Sequence, residues 1–285
     1  MIVTGAASLI RAGNDDAPLD PSPYLLHKET RKFMGTQDDL AVLTAGLALA
    51  RAGIGKAELG ERAGLFAVVG YIPFNHADIA PVLAASVEGD RFSMQRFSNG
   101  GFQQAHPLLT FRCLPNMPAY HVSANFDVRG PYFVTYPGPA QFYAALEEAV
   151  VALEQLRIDV ALVLAVAHQR NFLVEHHFQR MEPAVAARDL RDVGACLVLE
   201  REPSLRRPLL RLCEQRQNYQ PHAAFEPMGE VEQFSGVEPV PGELGPAGLS
   251  CALVAAIERG ESRRVRHDLQ SRDRVHARSE WQVLP

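Results

Sequence analysis

The chain has 285 residues, 47% of them hydrophobic, and a formal net charge of -5 at pH 7. Its apolar content is sufficient for one large domain or two small, closely packed ones. The acidic balance argues against a generally basic nucleic-acid surface. No apolar run reaches the roughly 18–20 residues that span a bilayer, and the N-terminus lacks the layout of a signal peptide. We therefore expect a cytoplasmic protein with no nucleic-acid partner and no membrane span.

Neither a metal nor a disulfide framework is expected. The cysteines lack CxxC spacing and paired histidines, which indicates small core residues; they are Cys113, Cys196, Cys213 and Cys251. Glu175, His176 and His177 are adjacent and could bind a metal, but no third ligand stands at a suitable spacing. We predict no metal and no cofactor.

The N-terminal third begins with a buried strand over residues 1–10. The later glycines of a G-x-G-x-x-G fingerprint are missing, which argues against dinucleotide binding. From Thr36, a capping residue, two acids and a helical apolar repeat predict a helix that stops near Gly53. Residues 65–70 read as a short strand. Residues 71–128 show little periodicity, and such a long irregular segment usually serves a site or an interface.

A strand over 131–136, a helix over 140–157 and a buried strand over 159–166 follow with short connections. This order predicts a βαβ unit and a parallel sheet. Another buried strand covers 194–199, and residues 206–213 could pair with it as an antiparallel neighbour.

Residues 218–243 read as a loop because they are rich in Pro, Gly and Glu. A helix is expected over 249–259. The arginine-rich tail, 261–281, is typical of a solvated surface, although it could also supply a basic patch for an acidic partner.

Residues 129–141 read as a strand, a turn and a helix. In many α/β enzymes such a turn carries the nucleophile, but this one holds prolines, a glycine and a glutamine, with no Cys, Ser or His. Two interpretations follow, a site that has lost its chemistry or one that never had any.

Residues 116–123, N-M-P-A-Y-H-V-S, and 126–131, F-D-V-R-G-P, are similar to a stretch of the β-ketoacyl synthase family. Asp159 at the start of a strand, residues 191–195 and residues 245–248 extend the resemblance. It implies a thiolase-like, layered α/β/α fold with a reduced second half. The halves would be residues 1–170 and 171–285, packed as one unit.

In that family a nucleophilic cysteine precedes the helix, where the helix N-terminus stabilises a thiolate. Counting along the strand places Pro139 at that position, with Gln141 nearby. Proline cannot attack a thioester and has no N–H for an oxyanion. The two family histidines are also missing, since Gly242 occupies one position and His222 has no motif around it. Their joint loss indicates a non-catalytic subunit.

The resemblance implies a chain length factor-like subunit that pairs with an active ketosynthase, acts on chains held by an acyl carrier protein, and is most similar to aryl polyene-type partners. Strand 131–136 would form the paired edge, and loops 71–118 would cover the partner's tunnel. Candidates for the tunnel or interface are Phe97, Phe102, Phe111, Met117, Phe133 and Tyr136. The alternative is that these side chains pack in the chain's own core.

Other functions remain open. A stand-alone acyltransferase or hydrolase could use Cys113 or Ser123, and a decarboxylase could use Gln141. The missing oxyanion donors argue against the decarboxylase. We interpret His121 as a hydrogen-bonded structural residue rather than a base.

Overall fold

The computed structural model describes residues 1–13, 15, 17–55, 58–220, 230–260 and 262–285, so His222 lies outside the described residues. The strands are β1 (Ile2–Arg11), β2 (Ala63–Val69), β3 (Val87–Glu88), β4 (Arg91–Phe92), β5 (Tyr132–Thr135), β6 (Val160–His168), β7 (Asp192–Glu200), β8 (Leu210–Tyr219), β9 (Val231–Ser235), β10 (Arg264–Gln270) and β11 (Val275–Val283). The helices are α1 (Thr36–Ala52), α2 (His76–Ser86), α3 (Met94–Arg96), α4 (Leu109–Cys113), α5 (Met117–Phe126), α6 (Ala140–Glu154), α7 (Phe172–Gln179) and α8 (Gly248–Arg259).

Within the described residues, one mixed sheet runs in the order β5-β2-β6-β7-β1-β8-β11-β10-β9. β2 is parallel to both β5 and β6, so it lies between the two strands of the predicted βαβ unit. β8 pairs with β1 and β11, and the expected pairing of 206–213 with the strand at 194–199 is wrong. The reason is that β1 already occupies that edge of β7.

The two parts of the sheet repeat one order of strands. Read outward from β1, the first part runs β1, β7, β6, β2, β5, and the second runs β8, β11, β10, β9. In each part, the strand that comes first in the sequence lies at the centre of the sheet, and the strand that comes last in the sequence lies next to it. The second part has no described counterpart of β5, and β9 is antiparallel to β10 where β2 is parallel to β6. This is the thiolase-like fold with a reduced second half; the division at residue 170 stays a prediction.

Helices cover both faces of the first part of the sheet. α1 and α5 pack on one face, and α6 and α8 pack on the other. Along β6 the side chains alternate, with Leu162 and Leu164 toward α1 and Ala161 and Val163 toward α6. Coverage on both faces explains why this strand is apolar at nearly every position.

The arginine-rich tail is ordered sheet rather than the solvated surface that we expected. Along β10 the buried residues are Val265, His267 and Leu269, whereas Arg266 and Asp268 point outward and form an ion pair of 2.7 Å. An antiparallel sheet can expose one polar face to water. The alternation of apolar and charged residues in the sequence indicates such a strand, but the high number of arginines led us to predict a solvated surface.

The irregular reading of residues 71–128 is wrong, because this segment holds α2 and α5 among several shorter turns. The family-like stretch lies on α5, which has Pro118 in its first turn and ends at Asp127 with φ of 57°. Helix α1 agrees with its prediction, ending at Gly53 with φ of 67°. Its N-cap, however, is Gly35 rather than Thr36, and Asp38 accepts a hydrogen bond from the backbone N–H of Gly35.

Candidate functional site

The turn between β5 and α6 is tight and has no nucleophile. Gly138 has φ of 100°, a conformation that favours glycine. Pro139 follows at the N-cap of α6 with helical angles. The position counted as that of the cysteine therefore offers neither a nucleophilic atom nor an N–H at the start of the helix.

Gln141 has both ends of its side-chain amide occupied. Thr135 Oγ1 donates to Gln141 Oε1 at 2.7 Å, and Gln141 Nε2 donates to Asp273 Oδ2 at 3.1 Å. The side chain thus ties the turn to the connection between β10 and β11. A substrate carbonyl would need an N–H donor, and the side-chain amide of Gln141 already donates to Asp273.

A cavity of about 460 Å³ opens beside this turn, and we call it the elbow cavity. It is lined by Gly70, Tyr71, Tyr136–Gln141, Gln169, Phe178, Met181, Pro183–Val185, Glu230, Glu232, Glu243, Gly245, Pro246 and Ser271–Asp273. Both parts of the sheet contribute, so the cavity stands where a site shared by the two halves would be.

Carboxylates dominate the charge of the elbow cavity. Glu230, Glu232, Glu243 and Asp273 face one guanidinium, that of Arg272. Burial, together with the neighbouring carboxylates of Glu243 and Glu232, raises the pKa of Glu230 to about 8. Burial also raises the pKa of Glu243, although the N–H of Gly245 opposes this. Such a lining repels an acidic substrate.

We call the carboxylates of this lining the acidic wall; a buried polar network lies behind it. Tyr143 Oη is 2.7 Å from His267 Nδ1 and 3.1 Å from Ser279 Oγ, and the tyrosine and histidine rings are stacked. His267 Nε2 lies 3.6 Å from Glu232 Oε1. Burial raises the pKa of Tyr143, so the phenol stays neutral and can act as a donor.

Sequence reasoning missed the acidic wall and this network. The glutamates are scattered through a stretch read as loop, and His267 lies in a tail read as surface. Only the alternation around His267 could have indicated that its side chain is buried.

Two aromatic tunnel candidates lie on the segment between α2 and α4. Phe97 lies between Phe92 and Phe102, with ring centroids 5.8 and 5.9 Å apart. Phe102 is 65% exposed and Phe92 is 54% exposed. This row of rings is an accessible apolar surface.

The other four candidates lie elsewhere. Phe111 packs against Phe33 with ring centroids 5.6 Å apart. Met117 is buried at the start of α5, which fits packing in the chain's own core. Phe133 is half-buried on β5, and the exposed Tyr136 lines the elbow cavity. The six side chains do not form one cluster.

His121 is buried as expected, but the expected hydrogen bond is absent. Neither ring nitrogen has a partner among the described residues, and burial lowers the pKa of His121 to about 4. A neutral ring without a partner packs α5 against its surroundings and does not move protons at neutral pH.

The remaining candidates show no assembled chemistry. Burial, with Asp38 and Asp78, raises the pKa of Cys113, which disfavours the thiolate. Ser123 lies on α5, and Glu175–His177 lie on α7. In the part of the chain that the structure describes, no three His, Cys, Asp or Glu side chains could hold a metal ion, and no helix is long and apolar enough to cross a membrane.

Comparison with solved structures supports the fold. The chain resembles a chain of the assembly AntDE:AntF, a type II polyketide synthase acyl-carrier protein in complex with its ketosynthase bound to the hexaketide, with a TM-score of 0.65, 11% identity and 99% coverage of both chains. A β-ketoacyl synthase from Burkholderia phymatum gives a TM-score of 0.57 at 16% identity, over 79% of this chain and 66% of that one. The ishigamide ketosynthase/chain length factor gives 0.55 at 16% identity, over 76% and 62%. The chain therefore spans less than two thirds of the last two.

Comparison of sequences gives the family. No curated protein matches the chain significantly. The family model of the β-ketoacyl synthase N-terminal domain matches residues 6–192, which is more than half of the chain. The chain therefore belongs to the β-ketoacyl synthase family.

Proposed function

We propose that this chain is a non-catalytic, chain length factor-like subunit that pairs with an active ketosynthase and shapes its acyl tunnel. The observation that carries the proposal is the elbow, where Pro139 stands at the nucleophile position and Gln141 is held by two hydrogen bonds. Condensation needs a nucleophile and donors for the oxyanion. The partner would supply both.

The acidic wall of the elbow cavity supports a loss of decarboxylation as well. A malonyl thioester carries a carboxylate, and the cavity presents Glu232, Glu243 and Asp273 to it. Like charges at close range are unfavourable in a partly buried site. Gln141 is therefore not the centre of a decarboxylase in this proposal.

The position of β5 supports pairing through the sheet edge. β5 is the terminal strand and pairs only with β2 among the described strands. Tyr132 is 74% exposed on it. A permanent heterodimer commonly buries more than about 2,000 Å² and needs an apolar centre. The row Phe92, Phe97 and Phe102 would add apolar surface and floor the partner's tunnel.

The likeness to a chain of a type II polyketide synthase assembly supports the same role. This chain covers 99% of the matched chain in a type II polyketide synthase assembly that contains an acyl-carrier protein and its ketosynthase. The ishigamide structure is likewise a ketosynthase/chain length factor. We place this chain in cytoplasmic type II polyketide or aryl polyene assembly, with halves at 1–170 and 171–285 and with the acyl carrier protein reached through the complex.

Co-purification with the ketosynthase encoded beside its gene tests the proposal. We expect a one-to-one complex that elongates acyl chains only when both subunits are present. Tyr132→Glu should abolish the complex, whereas Tyr219→Glu, an exposed tyrosine on β8, should leave it intact.

The competing function is a stand-alone acyltransferase or hydrolase. Acyl transfer by the purified single chain, lost in Cys113→Ala or Ser123→Ala, would overturn the proposal. So would a complex whose elongation rate is unaffected when this chain is left out.

A further inference from the structure

Two of the carboxylates that line the elbow cavity have no hydrogen bond to a residue that the structure describes. Glu243 accepts from the N–H of Gly245, and Asp273 accepts from Gln141. Glu230 and Glu232, in contrast, accept no hydrogen bond from any residue that the structure describes. Glu230 is largely protonated at neutral pH because its pKa is raised to about 8, so along the described lining Arg272 faces the carboxylates of Glu232, Glu243 and Asp273. The electrostatic preference of the cavity is thus for a cation.

A second observation comes from the wall behind Glu232. His267 is 1% exposed, and its Nε2 has no hydrogen-bond partner among the described residues. Because Tyr143 Oη occupies Nδ1, Nε2 is the atom directed toward the cavity wall, where Glu232 Oε1 lies 3.6 Å away. That distance is too long for a hydrogen bond. The imidazole and the carboxylate would form a hydrogen bond only if Glu232 moved closer to His267.

The rest of the lining is aromatic and apolar. Tyr71, Tyr136 and Phe178 contribute rings, and Met181 and Val185 contribute aliphatic surface. An ammonium group is attracted to ring faces as well as to carboxylates. The volume of about 460 Å³ lies within the range of roughly 300–1,000 Å³ that is usual for small-molecule sites.

We propose that the elbow cavity binds an organic cation with an apolar tail, an amine whose ammonium group lies against Glu232 and whose tail lies along Phe178 and Met181. Glu232 would then accept from the ligand on one side and from His267 on the other. The site stands on the cavity alone and does not depend on the partner ketosynthase.

Calorimetric titration of the full chain at pH 7.5 tests this, with hexylamine, hexan-1-ol and hexanoate as probes of one tail length. Hexylamine should bind, and the alcohol and the acid should bind at least tenfold more weakly. Glu232→Gln should weaken hexylamine binding at least tenfold, and Arg272→Gln should strengthen it several-fold. Glu238→Gln, an exposed glutamate outside the lining, should change nothing.

Circular dichroism checks that each variant folds, and Glu243→Gln replaces Glu232→Gln if the latter does not. The proposal is overturned if hexylamine fails to bind, if hexanol or hexanoate binds equally well, or if the folded cavity variants bind as the parent does.

Discussion

Acid should destabilise this protein through His121, whose buried ring has no hydrogen-bond partner in the part of the chain that the structure describes. Burial lowers the pKa of His121 from 6.5 to about 4 in the folded state. The unfolded chain therefore binds a proton that the folded chain does not. Stability from this group is complete above pH 6.5 and is lost as the pH falls toward 4.

The size of the effect follows from the shift. At about 1.4 kcal/mol per pKa unit, the free energy of unfolding falls by up to about 3 kcal/mol across this interval, of which about 2 kcal/mol is lost by pH 5. His121→Leu removes the titrating group and both unpartnered nitrogens. Removing such buried polar atoms is worth about 1–3 kcal/mol, so the variant should exceed the parent at pH 5 and gain less at pH 8.

Urea unfolding at pH 5, 6, 7 and 8 measures this. The chain has one tryptophan, Trp281, and its burial makes fluorescence a direct probe of unfolding. His176→Leu is the matched control, because His176 is exposed on α7 and its removal should keep the parent's dependence on pH. If His121→Leu and the parent lose stability in parallel between pH 7 and pH 5, the ring is not held neutral by burial and the reasoning fails.

Three further outcomes follow from the site. Glu230 has a raised pKa of about 8, so its contribution to stability is lost as the pH rises from 4.5 through 8. Between pH 6 and pH 9 the free energy of unfolding of the parent should therefore fall by roughly 2 kcal/mol more than that of Glu230→Gln, a figure discounted for partial exposure, and urea unfolding at the two pH values measures it. Asp192 is 2% exposed and accepts from Arg170 Nε at 3.0 Å, so Asp192→Asn should cost about 3 kcal/mol, and an unchanged urea midpoint would contradict this. Pro139→Cys restores a thiol and a backbone N–H; it should label with iodoacetamide but yield no acyl transfer from an acyl carrier protein in the purified chain, because the carboxylates that line the elbow cavity disfavour the thiolate, and measurable turnover would show that the thiol and the N–H were all that was missing.

The elements that the sequence predicted correctly are those whose signal is local. β6 is a continuous apolar run, and α1 combines an acidic first turn with an apolar repeat and a terminal glycine. For both, the residues that decide the structure lie within one short window. The βαβ order was also readable, because short connections restrict the topology.

The elements that were misread depend on distant contacts. α5 is short and has a proline in its first turn, so its stability comes from packing on α1 rather than from its own periodicity. β10 carries charged or polar residues at its outward positions, Arg264, Arg266, Asp268 and Gln270, and its inward face becomes evident only when α6 and Trp281 complete the core. The many charged residues predicted that this segment is exposed, which is true only of the outward face of β10.

The candidate site was half predictable for the same reason. The absence of a nucleophile at the elbow could be read from residues 136–141, which are contiguous. The acids of the cavity could not, because Glu230, Glu243 and Asp273 meet only after the second part of the sheet has folded against the first. A charge cluster assembled from three separate connections leaves no spacing in the sequence.

The two departures from an active synthase reinforce each other physically. A thiolate and an oxyanion both require positive potential at the elbow, which helix α6 could supply through its N-terminus. The second part of the sheet instead brings carboxylates to the same point, and these oppose the potential of the helix. With such a wall in place, a cysteine at position 139 would be a poorer nucleophile. Under the proposed function, the acidic wall and the proline are two parts of one state, in which the fold would be kept for what it contacts rather than for what it catalyses.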